Sequence, residues 1–246
     1  MKHLFLYLLT TSPTKAAHLQ AIFRLRGMEL LRWNGFRGYP ELQAERATNS
    51  LKLGAEYIRG RFSRPFIIED TEVRIEAYSR GSGISYPGFD LKRWWKVTTF
   101  GEIDAKCRNA ETRVASHTSN LCLSIPGIAP FFYRGVVRGK IAERPYEGPD
   151  RPDAPWLTAK QFASIFVPQG AKEPYAALSV EDSWRFDFRK RAVDQAILKV
   201  EEINAILNLE VNCYALESDG PQPRIDQLTL FDDAPECASD ITEELF

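Results

Sequence analysis

A turn near the start of the chain combines hydroxyl groups with a lysine and could hold phosphate. Thr10, Thr11, Ser12 and Lys15 lie where a predicted strand gives way to a predicted helix. At such a junction, backbone N–H groups and a lysine can converge on phosphate oxygens. The turn lacks the glycine pattern of a Walker P-loop or of a dinucleotide-binding turn. Taken alone, it is more typical of an ordinary turn with a surface lysine.

Three carboxylates are placed where they could bind a metal ion. Glu69 and Asp70 follow the apolar residues 66–68 of a predicted buried strand, and Glu41 precedes a predicted helix that carries Lys52. Magnesium prefers oxygen ligands and usually keeps waters beside one or two carboxylates. We predict that Glu41, Glu69 and Asp70 hold Mg²⁺ and that Lys52 contacts phosphate. The alternatives are a solvated acidic pair and a lysine on the wet face of its helix.

Histidine and cysteine offer little support for other kinds of chemistry. The three histidines are isolated, which argues against a histidine-based metal site and against a Ser/His/Asp triad. The four cysteines are scattered without a CxxC pair, which favours the reduced thiols of a cytoplasmic protein: Cys107, Cys122, Cys213 and Cys237.

Length and charge limit the classes of function. With 246 residues, the chain is long enough for one substantial domain. Its 32 basic and 33 acidic residues give a formal charge of -1, so we expect no direct nucleic-acid binding and no attraction to an anionic membrane. The apolar run at residues 4–9 is too short to span a membrane and instead predicts a buried first strand.

The order of predicted elements indicates a mixed α/β fold. Apolar periodicity and turn residues predict strands over residues 3–9, 29–33, 66–68, 113–125 and 131–143, and helices from Pro13 and over residues 47–59, 89–100 and 189–208. Residues 144–155 are rich in proline, glycine and charge and predict a loop.

The order of the candidate site residues resembles that of the inosine-triphosphate pyrophosphatases. This family cleaves non-canonical purine nucleotides such as ITP, dITP and XTP to monophosphate and pyrophosphate. The resemblance implies an elongated mixed sheet flanked by helices, with a central nucleotide cleft. The matching segments cover roughly residues 4–208: Thr10 to Lys15 for T-(S/G)-N-P-x-K, with Ser12 replacing asparagine; Pro40 to Gln43 for the metal-binding glutamate loop; Lys52; Glu69 to Thr71; Tyr86 to Gly88; Phe166 to Gly170; and Arg189 to Ala192.

Two departures from the family pattern affect the half of the site that reads the base. Residues 160–163 replace F-G-(W/Y)-D, which leaves Phe162 to supply an aromatic face for the base or, equally, to serve as a core residue. Asp187 and Phe188 stand where the family has serine and histidine before the purine-reading arginine, Arg189. The phosphate and metal half therefore matches better than the base-reading half.

The resemblance leaves two functions open. As an enzyme, the chain would hydrolyse the triphosphate, with Asp70, Glu69 and Lys15 as the catalytic residues. As a sensor, it would bind dITP with little turnover and activate a partner. Such a pyrophosphatase-like dITP sensor occurs in the Kongming anti-phage system, beside a sirtuin-like effector that depletes NAD. A purely structural scaffold would leave the ordered charged residues to coincidence.

The C-terminal segment predicts a loosely attached tail. We place the α/β domain at residues 1–210 and an acidic tail, loosely packed or partner-binding, at residues 211–246. Family members are commonly homodimers, which predicts a dimer here. Gln227, Leu228, Leu230 and Phe231 resemble a peptide that docks into the bacterial sliding clamp, although such short matches arise by chance.

Overall fold

The computed structural model describes residues 5–39, 47–79 and 81–216. Glu41, the tail beyond residue 216 and the peptide around Gln227 lie outside the described residues. The strands are β1 (Leu6–Leu8), β2 (Leu30–Arg32), β3 (Phe66–Ile75), β4 (Pro87–Gly88), β5 (Val114–Ser124), β6 (Phe131–Ile141) and β7 (Phe166–Pro168). The α-helices are α1 (Pro13–Leu25), α2 (Ala47–Arg59), α3 (Glu76–Ser79), α4 (Leu91–Val97), α5 (Phe100–Asn109), α6 (Val180–Ser183) and α7 (Phe188–Leu216).

One mixed sheet organises these elements. The strand order is β2-β1-β3-β5-β6-β7. The short strand β4 pairs with β3 at residues 73–74, beyond the end of the β1–β3 pairing. The strands β1, β2 and β3 are parallel, whereas β5, β6 and β7 are joined in antiparallel order. Helices α1 and α7 pack on one face around Ile67, and α2 packs on the other face around Phe66 and Ile68. This α/β architecture confirms the predicted fold class.

Helix α1 begins and ends where its sequence directs. Ser12 is the N-cap, its hydroxyl accepts a hydrogen bond from the Lys15 N–H, and Pro13 occupies the first turn, where its missing N–H costs nothing. The helix stops before Gly27, whose φ of 67° suits a residue without a side chain. This helix fixes the position of Lys15 at the end of β1.

Strand β3 is longer than the sequence suggested. The three apolar residues were expected to end the strand before Glu69, but the strand continues to Ile75 and pairs residue by residue with β5. Val73 and Ile75 are fully buried and alternate with the partly exposed Glu72 and Arg74, which is the period of a strand. The acidic pair therefore lies within a strand rather than after it.

Two helical segments also differ from the sequence prediction. Residues 89–100 were expected to form one helix, but the chain breaks at Thr98 and Thr99 into α4 and α5. Thr99 and Glu102 form a reciprocal capping box that starts α5, a signal the apolar periodicity did not reveal. Helix α7 was expected over residues 189–208; it begins one residue earlier, at Phe188, and extends beyond Asn208 to Leu216.

The outer edge of β6 is covered by side chains from α7. Because β7 pairs only with residues 139–141, none of the described strands lies beside the middle of β6 on that side. The Gln195 side chain donates to the Arg134 carbonyl at 3.2 Å, and the Arg191 guanidinium donates to the Val136 carbonyl at 3.1 Å. These bonds satisfy backbone acceptors that would otherwise face water.

Gly135 allows α7 to approach β6 closely, and we expect Gly135→Ala to be strongly destabilising. An added Cβ would lie 2.0 Å from the Phe188 carbonyl oxygen and 2.7 Å from the Ala192 nitrogen. Overpacking of this kind costs about 1–3 kcal/mol or more. Urea unfolding measures the change, with Gly101→Ala as control because its nearest neighbour would be 4.0 Å away. Equal stability of both variants would contradict the packing described.

Cys107 and Cys122 are free thiols buried in the core.

No helix among residues 5–39, 47–79 and 81–216 is long and apolar enough to cross a membrane.

Candidate functional site

Glu69 lies at the centre of a buried charged cluster. Its side chain is fully buried, and its carboxylate lies 3.0 Å from the Lys15 ammonium and 3.3 Å from Arg189 Nε. Ser119 donates to the same carboxylate at 2.8 Å. Burial alone would raise the pKa of Glu69, but the charges of Arg189 and Lys15 outweigh it and lower the pKa to about 2. Glu69 is therefore an anion that holds two cations in place.

The β3–β5 register places Glu69 and Asp70 on opposite faces of the sheet. Asp70 pairs with Asn120, and Thr71 pairs with Ser119. Since successive strand residues point to opposite faces, Glu69 shares its face with Thr71 and Ser119, whereas Asp70 shares its face with Asn120. The hydrogen bonds from Thr71 and Ser119 to the Glu69 carboxylate agree with this assignment.

The Asp70 face carries oxygen atoms that suit a hard cation. Asp70 is partly exposed, and its Oδ1 accepts from the Thr71 N–H at 3.0 Å. The neighbouring Asn120 donates to Glu72 at 3.3 Å, while its own Oδ1 is buried without a hydrogen-bond partner among the described residues. A buried carbonyl oxygen without a donor beside a carboxylate fits a magnesium site.

A complete metal-ligand set does not appear in the described part of the chain. Within residues 5–39, 47–79 and 81–216, no three histidine, cysteine, aspartate or glutamate residues are grouped closely enough to hold an ion. Glu41, the third predicted ligand, lies outside the described residues. Arg134 is 3.6 Å from Glu72, so that acidic side chain is already partly neutralised.

One stretch of β3 has no strand on the β1 side among the described residues, and it connects the two faces. Strand β1 pairs with β3 only as far as Ile67, and β4 pairs with β3 again at Val73. We call residues 68–72, which lie between these pairings, the β3 edge gap. The Lys15 ammonium reaches into it and donates to the Glu69 carbonyl at 2.6 Å. A ligand in the gap could therefore meet Lys15 from one face and Asp70 from the other.

The turn before α1 provides fewer backbone donors than the sequence suggested. Ser12 Oγ accepts from the Lys15 N–H at 3.2 Å, and Thr10 Oγ1 accepts from the Ser12 N–H at 3.2 Å. Pro13 has no N–H to offer. Thr11 is exposed at the turn. The Lys15 ammonium is therefore the main attraction for phosphate at this turn.

Arg189 belongs to the Glu69 cluster. Its Nη2 donates to Thr71 Oγ1 at 2.8 Å, and its Nη1 lies 3.0 Å from His18 Nδ1. The Arg189 side chain is 13% exposed, so it lies at the margin of the buried cluster. The structure thus brings Lys15 and Arg189 together on one carboxylate, although they are far apart in the sequence.

Two further predicted residues lie apart from this cluster. Lys52 is exposed, and its ammonium stands 5.7 Å from the centre of the Phe132 ring, on the sheet face that carries Asp70. Phe162 is 2% exposed and packs in the core beside His117 and Phe166. Its ring is therefore not accessible to a base in this conformation.

Sequence reasoning missed His18, Ser119, Asn120 and the contact role of Asp187. His18 lies one helical turn after Lys15 on α1, and that spacing could have signalled a shared face. Asp187 was noted only as a replacement for serine. The partners on β5 could be recognised only from the strand register.

The fold and this charged cluster define an α/β protein with two cations and a shared buried carboxylate beside the edge of a mixed sheet. The Ham1 family model matches residues 6–199, and the chain belongs to this family.

Several known proteins are similar to the chain. A dITP/XTP pyrophosphatase of Pyrococcus horikoshii is 23% identical over 76% of this chain and 92% of the relative. One of Methanopyrus kandleri is 27% identical over 64% of this chain and 76% of the relative. The structure of a HAM1 protein from Coxiella burnetii shares the fold, with a TM-score of 0.63 and 20% identity over 81% of this chain and 99% of that one. The Staphylococcus aureus Ham1 protein has a TM-score of 0.63 and 18% identity, over 80% of this chain and 98% of that one.

Proposed function

We propose that the chain binds a deaminated purine nucleoside triphosphate, dITP, ITP or XTP, with magnesium and hydrolyses it to monophosphate and pyrophosphate. The observation that carries this proposal is the convergence of Lys15 and Arg189 on Glu69 beside the β3 edge gap, with Asp70 across the strand. The relatives named dITP/XTP pyrophosphatases support the substrate class.

Each of the proposed site residues has a separate role in hydrolysis. Asp70 and Glu41 are the proposed magnesium ligands, and a bound ion would neutralise charge on the phosphates and lower the pKa of a coordinated water. Glu69 was predicted as a third ligand, but its carboxylate lies on the opposite face of the sheet and is already paired with Lys15 and Arg189. Lys15 and Lys52 neutralise the triphosphate. Asp70 orients the water that attacks the α-phosphorus and accepts its proton as the bond to the β-phosphate oxygen breaks. Glu69 keeps Lys15 and Arg189 in position.

Base selection is assigned to Arg189. Guanidinium groups only donate hydrogen bonds, so Arg189 matches the six-position oxygen of hypoxanthine or xanthine. Adenine has an amino donor at that position, and two facing donors would leave each other unpaired. Adenine nucleotides should therefore bind more weakly.

A thermal-shift experiment tests this selectivity. Ligand at a hundredfold excess over its Kd stabilises the native state by about 2.7 kcal/mol. For a domain of this size, that corresponds to a rise in Tm of roughly 5–10 °C. We expect this rise with dITP and magnesium and a much smaller one with dATP. Equal shifts with both nucleotides would refute the assignment of Arg189.

A second candidate function is that of a nucleotide sensor with little turnover. Phe188, which replaces the family's histidine, is 2% exposed and stacks on His117 with ring centres 3.6 Å apart, so it is turned into the core. A chain whose base-reading half is rebuilt in this way could bind dITP without efficient hydrolysis. It would act as a homodimer or together with a sirtuin-like effector. Recovery of intact dITP after long incubation with stoichiometric protein and magnesium would favour the sensor, and release of pyrophosphate would favour the enzyme.

A further inference from the structure

A buried histidine–aspartate pair lies directly behind Arg189. The side chains of His18 and Asp187 are both fully buried, and His18 Nε2 is 2.5 Å from Asp187 Oδ2. The other ring nitrogen of His18, Nδ1, is 3.0 Å from Arg189 Nη1. The imidazole thus bridges a carboxylate and the guanidinium to which we assign base selection.

The hydrogen bonds define the state of the imidazole. Because a guanidinium can only donate, Nδ1 must accept from Arg189, and the ring proton must lie on Nε2 and be donated to Asp187. Burial lowers the pKa of His18, which agrees with a neutral ring. The ring plane is fixed as well, since His18 stacks on Trp156 with an interplanar angle of 3° and ring centres 4.6 Å apart.

Asp187 is the fixed end of this chain of contacts. Its carboxylate accepts from the Tyr175 hydroxyl at 2.9 Å and from the Lys190 N–H at 2.8 Å, at the start of α7. Burial would raise the pKa of Asp187, but the contact with His18 and, to a smaller extent, these two bonds hold the pKa below its usual value. Counting His18 as neutral, the buried cluster contains two cations, Lys15 and Arg189, and two anions, Glu69 and Asp187.

Arg189 is therefore held on three sides but keeps donors for a ligand. His18 takes one N–H of Nη1 and Thr71 takes one N–H of Nη2, while Glu69 faces Nε. A guanidinium carries two N–H groups on each Nη, so one on each remains without an acceptor among the described residues. The orientation of these two donors depends on the partners behind the guanidinium.

We propose that His18 and Asp187 are positioning residues that fix the Arg189 guanidinium so that its two remaining Nη N–H groups select an oxygen at the purine six-position. This inference rests on the proposed function. His18 itself cannot act as a general base because its side chain has no exposed surface from which to reach water or substrate. Its effect is confined to the orientation of Arg189.

The experiment uses isothermal titration calorimetry of the full chain with magnesium and compares the affinities for inorganic tripolyphosphate and for the α,β-methylene analogues of dITP and dATP, which cannot be cleaved between the α- and β-phosphates. The double variant His18→Leu with Asp187→Ser removes both members of the pair behind Arg189; because it also takes away the acceptor of the buried Tyr175 hydroxyl, its folding is checked by a thermal melt before titration. We expect the ratio of the dATP and dITP dissociation constants to fall about tenfold, the equivalent of one misplaced hydrogen bond, about 1.4 kcal/mol. Affinity for tripolyphosphate should stay within about twofold because Lys15 is untouched; twofold is about 0.4 kcal/mol.

Single variants separate positioning from folding. The His18→Gln side chain can still accept a hydrogen bond from Arg189 and donate one to Asp187, so the ratio of the dATP and dITP dissociation constants should stay within about threefold of the parent's. The His18→Asn side chain is too short to make both contacts, so this variant should lose the selectivity for dITP. The matched control is His117→Leu, another buried histidine on the same face, whose Nδ1 has no hydrogen-bond partner among the described residues. His117→Leu should change the free energy of unfolding but not the ratio of the dATP and dITP dissociation constants.

The outcomes distinguish this inference from the function on which it rests. A parent that binds dITP and dATP equally overturns the proposed base selectivity and, with it, the inference. A selective parent whose folded His18 variants keep the same ratio overturns the inference alone, as does a His18→Gln variant that loses as much selectivity as His18→Asn. If the double variant does not fold, the comparison of His18→Asn with His18→Gln decides.

Discussion

Glu69→Gln is expected to lower the free energy of unfolding by about 3–5 kcal/mol, because the change leaves two largely buried cations without their shared anion. Lys15 and Arg189 are 19% and 13% exposed, so water compensates them only in part. Urea unfolding at neutral pH measures the loss. The same variant should bind triphosphate poorly, since both cations lose their position.

The matched control for this prediction is Glu72→Gln. Glu72 lies on the same strand but on the opposite face, and its ion pair with the exposed Arg134 spans 3.6 Å. Such pairs contribute about 1 kcal/mol or less. Similar losses in the two variants would show that Glu69 is not the centre of the buried cluster.

The pH dependence of stability gives a second measure of the same carboxylate. The pKa of Glu69 is lowered from 4.5 to about 2, so its contribution is fully present above pH 4.5 and is lost as the pH falls toward 2. A shift of this size corresponds to about 3 kcal/mol. The parent should lose this amount across that window, and Glu69→Gln should lose correspondingly less.

Asp70→Asn is expected to reduce pyrophosphate release at least about 100-fold, the usual scale for removing a positioned base. It should also weaken magnesium-dependent binding of dITP, because a neutral amide is a poorer magnesium ligand. Stability should change by less than about 0.5 kcal/mol, since Asp70 is partly exposed. A pyrophosphate assay and a thermal melt of the same preparation give both values.

The control for Asp70→Asn is Glu76→Gln, which removes a carboxylate paired with Arg74 just after the same strand. It should leave turnover and metal dependence unchanged. If Asp70→Asn retains activity within tenfold of the parent, the proposed role of Asp70 in hydrolysis is incorrect.

Much of the fold was predictable because local signals agree with it. Helix α2 has the predicted bounds, and the strand pair β5 and β6 lies where alternation placed it. The errors arose where a local pattern was ambiguous. Three apolar residues before Glu69 resemble a complete short strand, whereas the continuation to Ile75 depends on pairing with β5, which lies more than forty residues later.

The site was predictable as a set of residues but not as an arrangement. Glu69 and Asp70 are neighbours in sequence, so they suggest one acidic pair. Because β3 continues through both residues, their side chains lie on opposite faces of the sheet, and this could not be seen without knowing how far the strand extends. Likewise, Arg189 follows Lys15 by most of the chain's length, and its contact with Glu69 results from the packing of α7 on the sheet.

The covering of the β6 edge by Arg191 and Gln195 restricts how the protein can associate. Two carbonyls that could accept hydrogen bonds from a strand of another chain already have donors from their own helix. A second copy or an effector cannot simply lengthen the sheet at the middle of β6, since it would first have to displace these side chains. At the middle of β6, association would therefore have to use side-chain surfaces, and growth of the sheet from molecule to molecule is blocked at this point.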